Sequence, residues 1–189
     1  YQDKTIDRIN LFLDLNPQYI LPKTVNGEKI FSLKHILKEI PWDSLNNGTA
    51  CFMHGDLNFS NILYDKKSDK FMLIDWRQDF AGEIDFGDIY YDLAKLYAGI
   101  TMNFNHIIKG QYRYIEKNGD LKISFKTWNQ SNKYKKILEE FIVERGFDLK
   151  KVKLLSGLTY LNMAALHPEP INKILITFGS LVISKELDK

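Results

Sequence analysis

The stretch that most constrains this chain runs from residue 51 to 92, CFMHGDLNFSNILYDKKSDKFMLIDWRQDFAGEIDFGDIYYD. Cys51-Phe52-Met53 leads into His54-Gly55-Asp56, and Phe71-Met72-Leu73-Ile74 leads into Asp75. Both apolar runs are short enough for strands, and Asp65 to Asp69 reads as a hairpin turn. Asn61 lies between them, followed by apolar Ile62 and Leu63. Polar groups at the ends of buried strands are held rigidly and face outward, where chemistry is usually placed.

Asp56, Asn61 and Asp75 all offer hard oxygens, which suit Mg²⁺ held by one or two carboxylates together with substrate phosphates. No thiolate pair and no HxxxH motif supports zinc. A carboxylate apart from the metal can take a proton from a hydroxyl. One aspartate, an asparagine five residues on and a strand-borne second aspartate match the catalytic spacing of protein kinases, with Gly55 where they carry Arg.

The decade His54 to Leu63, HGDLNFSNIL, resembles the catalytic loop of the aminoglycoside phosphotransferase and choline kinase-like family. Ile74-Asp75-Trp76 resembles its metal-binding motif, and Gly87-Asp88 with Tyr91-Asp92-Leu93-Ala94 resembles the helix start that follows. The variant Asn58-Phe59-Ser60 looks most like kinase-like domains attached to bacterial capsule and surface-sugar biosynthesis proteins. The resemblance implies an α+β, mostly α fold, the C-terminal lobe of a protein-kinase-like phosphotransferase. It implies ATP as donor, Mg²⁺ as cofactor and a small-molecule hydroxyl as acceptor. Asp56 would accept or orient that hydroxyl, and Asn61 and Asp75 would hold the metal. His54 would bond the backbone near the metal site, and Asp88 and Asp92 would brace the loop. Arg77 stands where the family often has an acid; Asp79, Asp88 or a phosphate are its open partners. Asp85-Phe86-Gly87 also spells the protein-kinase metal motif, but Asp85 falls in a loop whereas Asp75 ends an apolar strand, so Asp75 is chosen. A catalytically silent kinase-like module and a protein kinase are the rival readings; intact Asp56, Asn61 and Asp75 argue against the first and Gly55 against the second.

The 189 residues suffice for one domain with a core. A net charge of +2 is too small to argue for nucleic acid. The single Cys51 excludes an internal disulfide and fits a reducing, cytoplasmic setting. No apolar run is long enough to span a membrane. The residues before His54 hold one glycine, Gly27, and neither a GxGxxG loop nor a strand with a nucleotide-binding Lys. Residues 1–189 are therefore expected to form a C-terminal lobe alone, its N-terminal nucleotide-binding lobe supplied by a longer chain and the isolated fragment inactive.

Helices are expected over 3–14, from Ser32 to Pro41, over 88–98 and over 103–110. Asp92 and Lys95 are expected to pair on the surface of the third. Asn118-Gly119 should join strands 112–117 and 120–125, setting Tyr114 opposite Ile123 and Tyr112 opposite Phe125. That ribbon either shapes the acceptor site or is a structural addition; His167 and Glu169 are further candidates for the acceptor pocket. Three helices should follow, and the Tyr134, Ile137, Leu138, Phe141, Ile142 stripe of the first is expected in the core.

Overall fold

The computed structural model describes every residue except Ala81. Its elements run α1 (Gln2–Leu15), β1 (Thr24–Val25), β2 (Glu28–Lys29), α2 (Leu33–Glu39), α3 (Trp42–Asn46), β3 (Ala50–Cys51), a 3-10 turn (Phe59–Asn61), β4 (Ile62–Asp65), β5 (Lys70–Leu73), β6 (Gly87–Asp88), α4 (Ile89–Thr101), α5 (Phe104–Ile108), β7 (Tyr112–Lys117), β8 (Asp120–Phe125), α6 (Ser131–Glu144), α7 (Leu149–Ala164) and α8 (Ile171–Leu187). The fold is mixed α+β, with about half of the residues in helices rather than the large majority expected. No helix is long and apolar enough to cross a membrane among the described residues.

The core lies where α7 packs on α8, with α4 and α1 laid against α7. Val152, Leu155, Leu158 and Leu161 of α7 meet Ile174, Leu175 and Ile183 of α8, all buried. The two helices approach at Gly157 and Gly179, where a Cβ on Gly179 would lie 2.9 Å from the Gly157 carbonyl oxygen. Side chains there would push the helices apart. Local signals set the helix starts: Ser32 accepts from the His35 amide, Asp88 from Tyr90 and Asp148 from Lys151. Buried Lys151 ties α7 to α3, donating to the carbonyls of Ser44 (3.1 Å) and Asn47 (2.6 Å) beneath the Tyr90 ring.

The Asn118-Gly119 hairpin has the expected register, Tyr114 opposite Ile123 and Tyr112 opposite Phe125. It joins a sheet of order β2-β1-β8-β7, in which β1 runs parallel to β8. Asn26 completes that pairing through its side chain, exchanging two 2.9 Å hydrogen bonds with the Ile123 backbone. Leu121 and Ile123 are buried, and Phe125 meets Phe178 of α8 edge to face. The ribbon is thus a structural layer against α8, and none of its residues lines a cavity containing Asp56.

Three other expectations are corrected. The strand before Asp75 is not buried: Phe71 is 72% exposed and Met72 62% exposed, because β5 pairs only with β4 in a two-stranded ribbon. The α6 stripe is largely outside the core. Ile142 is buried, while Tyr134, Ile137 and Phe141 are exposed along an apolar groove shared with Phe59, Leu96, Ile100 and Trp128. Pro41 ends α2 but also opens α3 as its N-cap residue, and the Trp42 indole donates back to the Leu37 carbonyl.

Candidate active site

The segment 49–61 is held by one face of α4. Asp88, Asp92, Lys95 and Gly99 follow the 4-3-4 spacing that keeps residues on one side of a helix. Asp88 accepts the Thr49 amide at 3.1 Å and caps α4. Asp92 accepts the amides of His54 (2.7 Å) and Gly55 (2.9 Å). The Lys95 ammonium lies 2.6 Å from Asp56 Oδ1. Gly99 leaves room for the Phe59 ring, which a Cβ would meet at 3.1 Å. The expected surface pair of Asp92 with Lys95 does not form. Asp92 is turned inward and only 5% exposed, its two oxygens satisfying backbone amides that no water reaches, and Lys95 is left for Asp56.

His54 is buried, and its ring joins the two halves of the site. Nδ1 accepts the Asp56 amide at 3.2 Å, so Nε2 carries the proton and donates to the Ile74 carbonyl at 2.8 Å. The Arg77 amide returns to the His54 carbonyl at 2.9 Å. Gly55 sits at φ +79°, and a Cβ there would stand 2.5 Å from Arg77 Cβ, so only glycine fits.

Asp56 is half-buried between two amides and an ammonium. Asn58 and Asn61 donate to Oδ2 at 3.0 and 3.1 Å, and Lys95 faces Oδ1. Burial alone would push the Asp56 carboxyl up; Lys95, seconded by both amides, outweighs it and holds the group below the usual carboxylate range. Asn61 is buried, and with its Nδ2 spent on Asp56 its Oδ1 takes no hydrogen bond among the described residues. Asp75 follows β5 in the left-handed region, φ +60°, and lines the same cleft as Asp56. That cleft has a volume of about 410 Å³.

The donor set admits Mg²⁺ in one way. No group of three or more His, Cys, Asp or Glu could hold a metal among the described residues, and Asp56 is committed to Lys95. Asp75 lines the cleft, while Asn61 lies outside its lining and is tied to the residue before Asp75 by the Ile74 amide, which donates to the Asn61 carbonyl at 3.0 Å; a carboxylate and an amide oxygen are donor types that suit a hard cation.

Other candidates fall elsewhere. Exposed Asp85 lines a neighbouring hollow with Phe52, Met53 and Phe86, outside the Asp56 cleft. Arg77 makes no ion pair with Asp79 or Asp88; its guanidinium lies over the Tyr91 ring, 5.6 Å from the centroid. His167 packs on Phe104, and Glu169 pairs with Lys173 at 2.6 Å. Neither lines the cleft. The sequence reading missed Asn58, Lys95 and Gly99; the one-sided spacing from Asp88 along α4 was the signal available for the last two.

No curated protein and no solved structure matches the chain significantly. The model of the phosphotransferase enzyme family matches residues 17–118, more than half of the chain, taking in the loop from His54 to Asn61, Asp75, and the four residues of α4 and its cap that hold the loop. This chain belongs to that phosphotransferase family.

Proposed function

We propose that the protein is a small-molecule kinase that moves the γ-phosphoryl group of ATP to an alcohol, with Asp56 facing the hydroxyl and Asn61 and Asp75 holding Mg²⁺. The observation that carries this reading is what surrounds Asp56: Asn61 donates to its Oδ2 at 3.1 Å, and Asp75 lines the same cleft. When bound, Mg²⁺ neutralises phosphate charge as it builds during transfer.

The residues of the chain account for the remainder. Asp56 accepts a hydrogen bond from the acceptor hydroxyl and takes its proton as oxygen bonds to the γ-phosphorus and the bond to the β–γ bridging oxygen breaks. Lys95 keeps Asp56 ionised and makes it a weak base. That suits a loose transition state in which aligning the hydroxyl matters more than deprotonating it early. Asn58 and Asn61 fix the carboxylate plane, and the His54 bridge to Ile74 sets the loop against the turn that carries Asp75.

The same reading makes residues 1–189 a C-terminal lobe working beneath a nucleotide-binding lobe. The exposed side chains of Phe52, Phe71, Met72, Ile84 and Phe86 around the ribbon and the loop after it support this, since an apolar surface of that kind is normally covered. A cytoplasmic setting and a place in surface-polysaccharide synthesis, suggested by the Asn58-Phe59-Ser60 variant, belong to the same proposal.

The test is ATP turnover by the full-length polypeptide carrying Asp56→Ala, Asp75→Ala or Asp85→Ala. The first should cut kcat by at least about a thousandfold with the fold intact, consistent with the weight of positioning in phosphoryl transfer. The second should abolish Mg²⁺-dependent nucleotide binding and the third should not. Near-normal turnover by Asp56→Ala refutes the reading.

A further inference from the structure

The cleft beside Asp56 carries an excess of positive charge. Lys4 and Arg8, one turn apart on α1, line it together with Arg77 and Lys95. Only Asp56 and Asp75 oppose them among the lining residues, and Asp56 already neutralises Lys95. Lys4, Arg8 and Arg77 have no salt-bridge partner among the described residues. Across the cleft α7 presents Thr159 and Asn162, three residues apart and so on one face. Asn162 Oδ1 is turned away from solvent and has no hydrogen-bond partner among the described residues. The Thr159 hydroxyl donates to the Leu155 carbonyl at 3.0 Å, so its oxygen can accept in turn.

Resting on the kinase reading above, we propose that the acceptor is an anionic polyol, a hydroxylated molecule of sugar size that bears a phosphate or carboxylate group. Lys4, Arg8 and Arg77 take the anionic group, the polar side chains of Asn162 and Thr159 bond hydroxyls, and the reacting hydroxyl lies at Asp56. A volume of about 410 Å³ suits a molecule of that size. An amino sugar or a quaternary-ammonium alcohol would bring a positive charge into a cleft where Lys4, Arg8 and Arg77 are opposed by Asp75 alone, and the cleft selects against it. The preference belongs to α1 and α7, and to Arg77 two residues beyond Asp75, not to the loop that carries Asp56.

The experiment titrates the full-length polypeptide by calorimetry, without nucleotide, with 6-phosphates, uronates, neutral hexoses and 2-amino hexoses of the gluco, manno and galacto series. Turnover with ATP and Mg²⁺ is measured on the same compounds. The anionic members should bind on the order of tenfold or more tighter than their neutral parents, the strength of a charge-assisted contact. The amino sugars should bind weakest, and added salt should narrow the gap. Comparing 6-phosphates with uronates separates the two sources of negative charge. Lys4→Gln combined with Arg8→Gln should erase the preference, raising KM for the anionic acceptor while leaving nucleotide affinity unchanged. Asn162→Ala should weaken charged and neutral polyols alike. A preference for neutral or amino sugars overturns the proposal, as does binding of no polyol at all. So does a Lys4/Arg8 double variant that weakens nucleotide in place of acceptor, since those cations would then serve the donor phosphates. Anion-selective binding without Asp56-dependent transfer would sink the kinase reading and leave this inference standing. Asp56-dependent transfer to a neutral or amino sugar would do the reverse.

Discussion

Asp92 offers a direct test of how the loop is built. Its carboxylate accepts the His54 amide at 2.7 Å and the Gly55 amide at 2.9 Å, and the residue is 5% exposed. Asp92→Ala removes both acceptors from amides whose hydrogen bonds are buried. A hydrogen bond to a charged group contributes about 1.5–3 kcal/mol, so two place the loss at about 3–6 kcal/mol before the loop relaxes. That is a large fraction of the roughly 5–15 kcal/mol that holds a domain folded. Urea unfolding followed by far-UV circular dichroism measures the loss. In a background with Trp42 and Trp128 replaced by Phe, Trp76, 4.8 Å from the His54 ring, reports on the loop itself by fluorescence. The variant should lower the midpoint by both probes, with the Trp76 signal changing first. Asp92→Asn keeps one acceptor but turns an amide group toward a backbone N–H, and should fall between the two. A loss under about 1 kcal/mol for Asp92→Ala, with the slope against urea unchanged, would refute the argument, because those amides must then have another partner.

Three further outcomes follow from the same geometry. Gly55→Ala places a Cβ 2.5 Å from Arg77 Cβ at a φ of +79°, whereas Gly27→Ala meets only strain at +85°, with nothing within 4 Å; the first should cost about 2–4 kcal/mol and the second about 1–2 kcal/mol in denaturant unfolding. Asp56 and Glu139 are both pulled below the usual carboxylate range, each against its burial, chiefly by Lys95 in the first case and by Lys153 in the second. The stability they contribute is present above the unfolded carboxylate values of about 4 and is lost as pH falls through their lower folded values. The urea midpoint should therefore hold from pH 7 to about 5 and drop below about 4; an equal slope across neutral pH would contradict the assignment. Lys95→Met should let the Asp56 carboxyl rise, seen as an upward move of its titration by carbon-detected NMR, and a value that stays put would mean the two amides alone depress it.

What the sequence shows clearly here is whatever is settled within a few residues. Ser32, Asp88 and Asp148 cap helices because an oxygen needs only to reach an amide two or three positions on. Asn118-Gly119 sets a register because both residues accept positive φ. Contacts between distant elements are less legible. Phe71 and Met72 look like core by composition, yet nothing in the described chain covers their ribbon. Tyr134, Ile137 and Phe141 repeat at helical spacing, but α6 buries only the Ile142 edge of that stripe. Asp92 and Lys95 stand three apart, which predicts a local pair; each is drawn instead to a residue nearly forty positions back in the chain. The balance turns on burial, since an inward carboxylate facing two amides that lack other acceptors outweighs an exposed ion pair worth a few tenths of a kcal/mol.

That outcome makes α4 the gauge against which the loop is set. Along one face Asp88, Asp92, Lys95 and Gly99 meet, in the same order, Thr49, the His54–Gly55 amides, the Asp56 carboxylate and the Phe59 ring. Four contacts of different kinds, a cap, a pair of amide bonds, an ion pair and a close aromatic approach, therefore share a single rigid ruler with a rise of about 1.5 Å per residue. A shift of the loop by one residue would break all of them together, which is why the carboxylate at 56 can be placed accurately although it sits on irregular backbone. The cleft-lining side chains of α1 and α7 make none of these four contacts, although Tyr1 at the cap of α1 donates to Asp88 Oδ2 at 2.7 Å. Substitutions at Lys4, Arg8, Thr159 or Asn162 should therefore leave those four contacts in place.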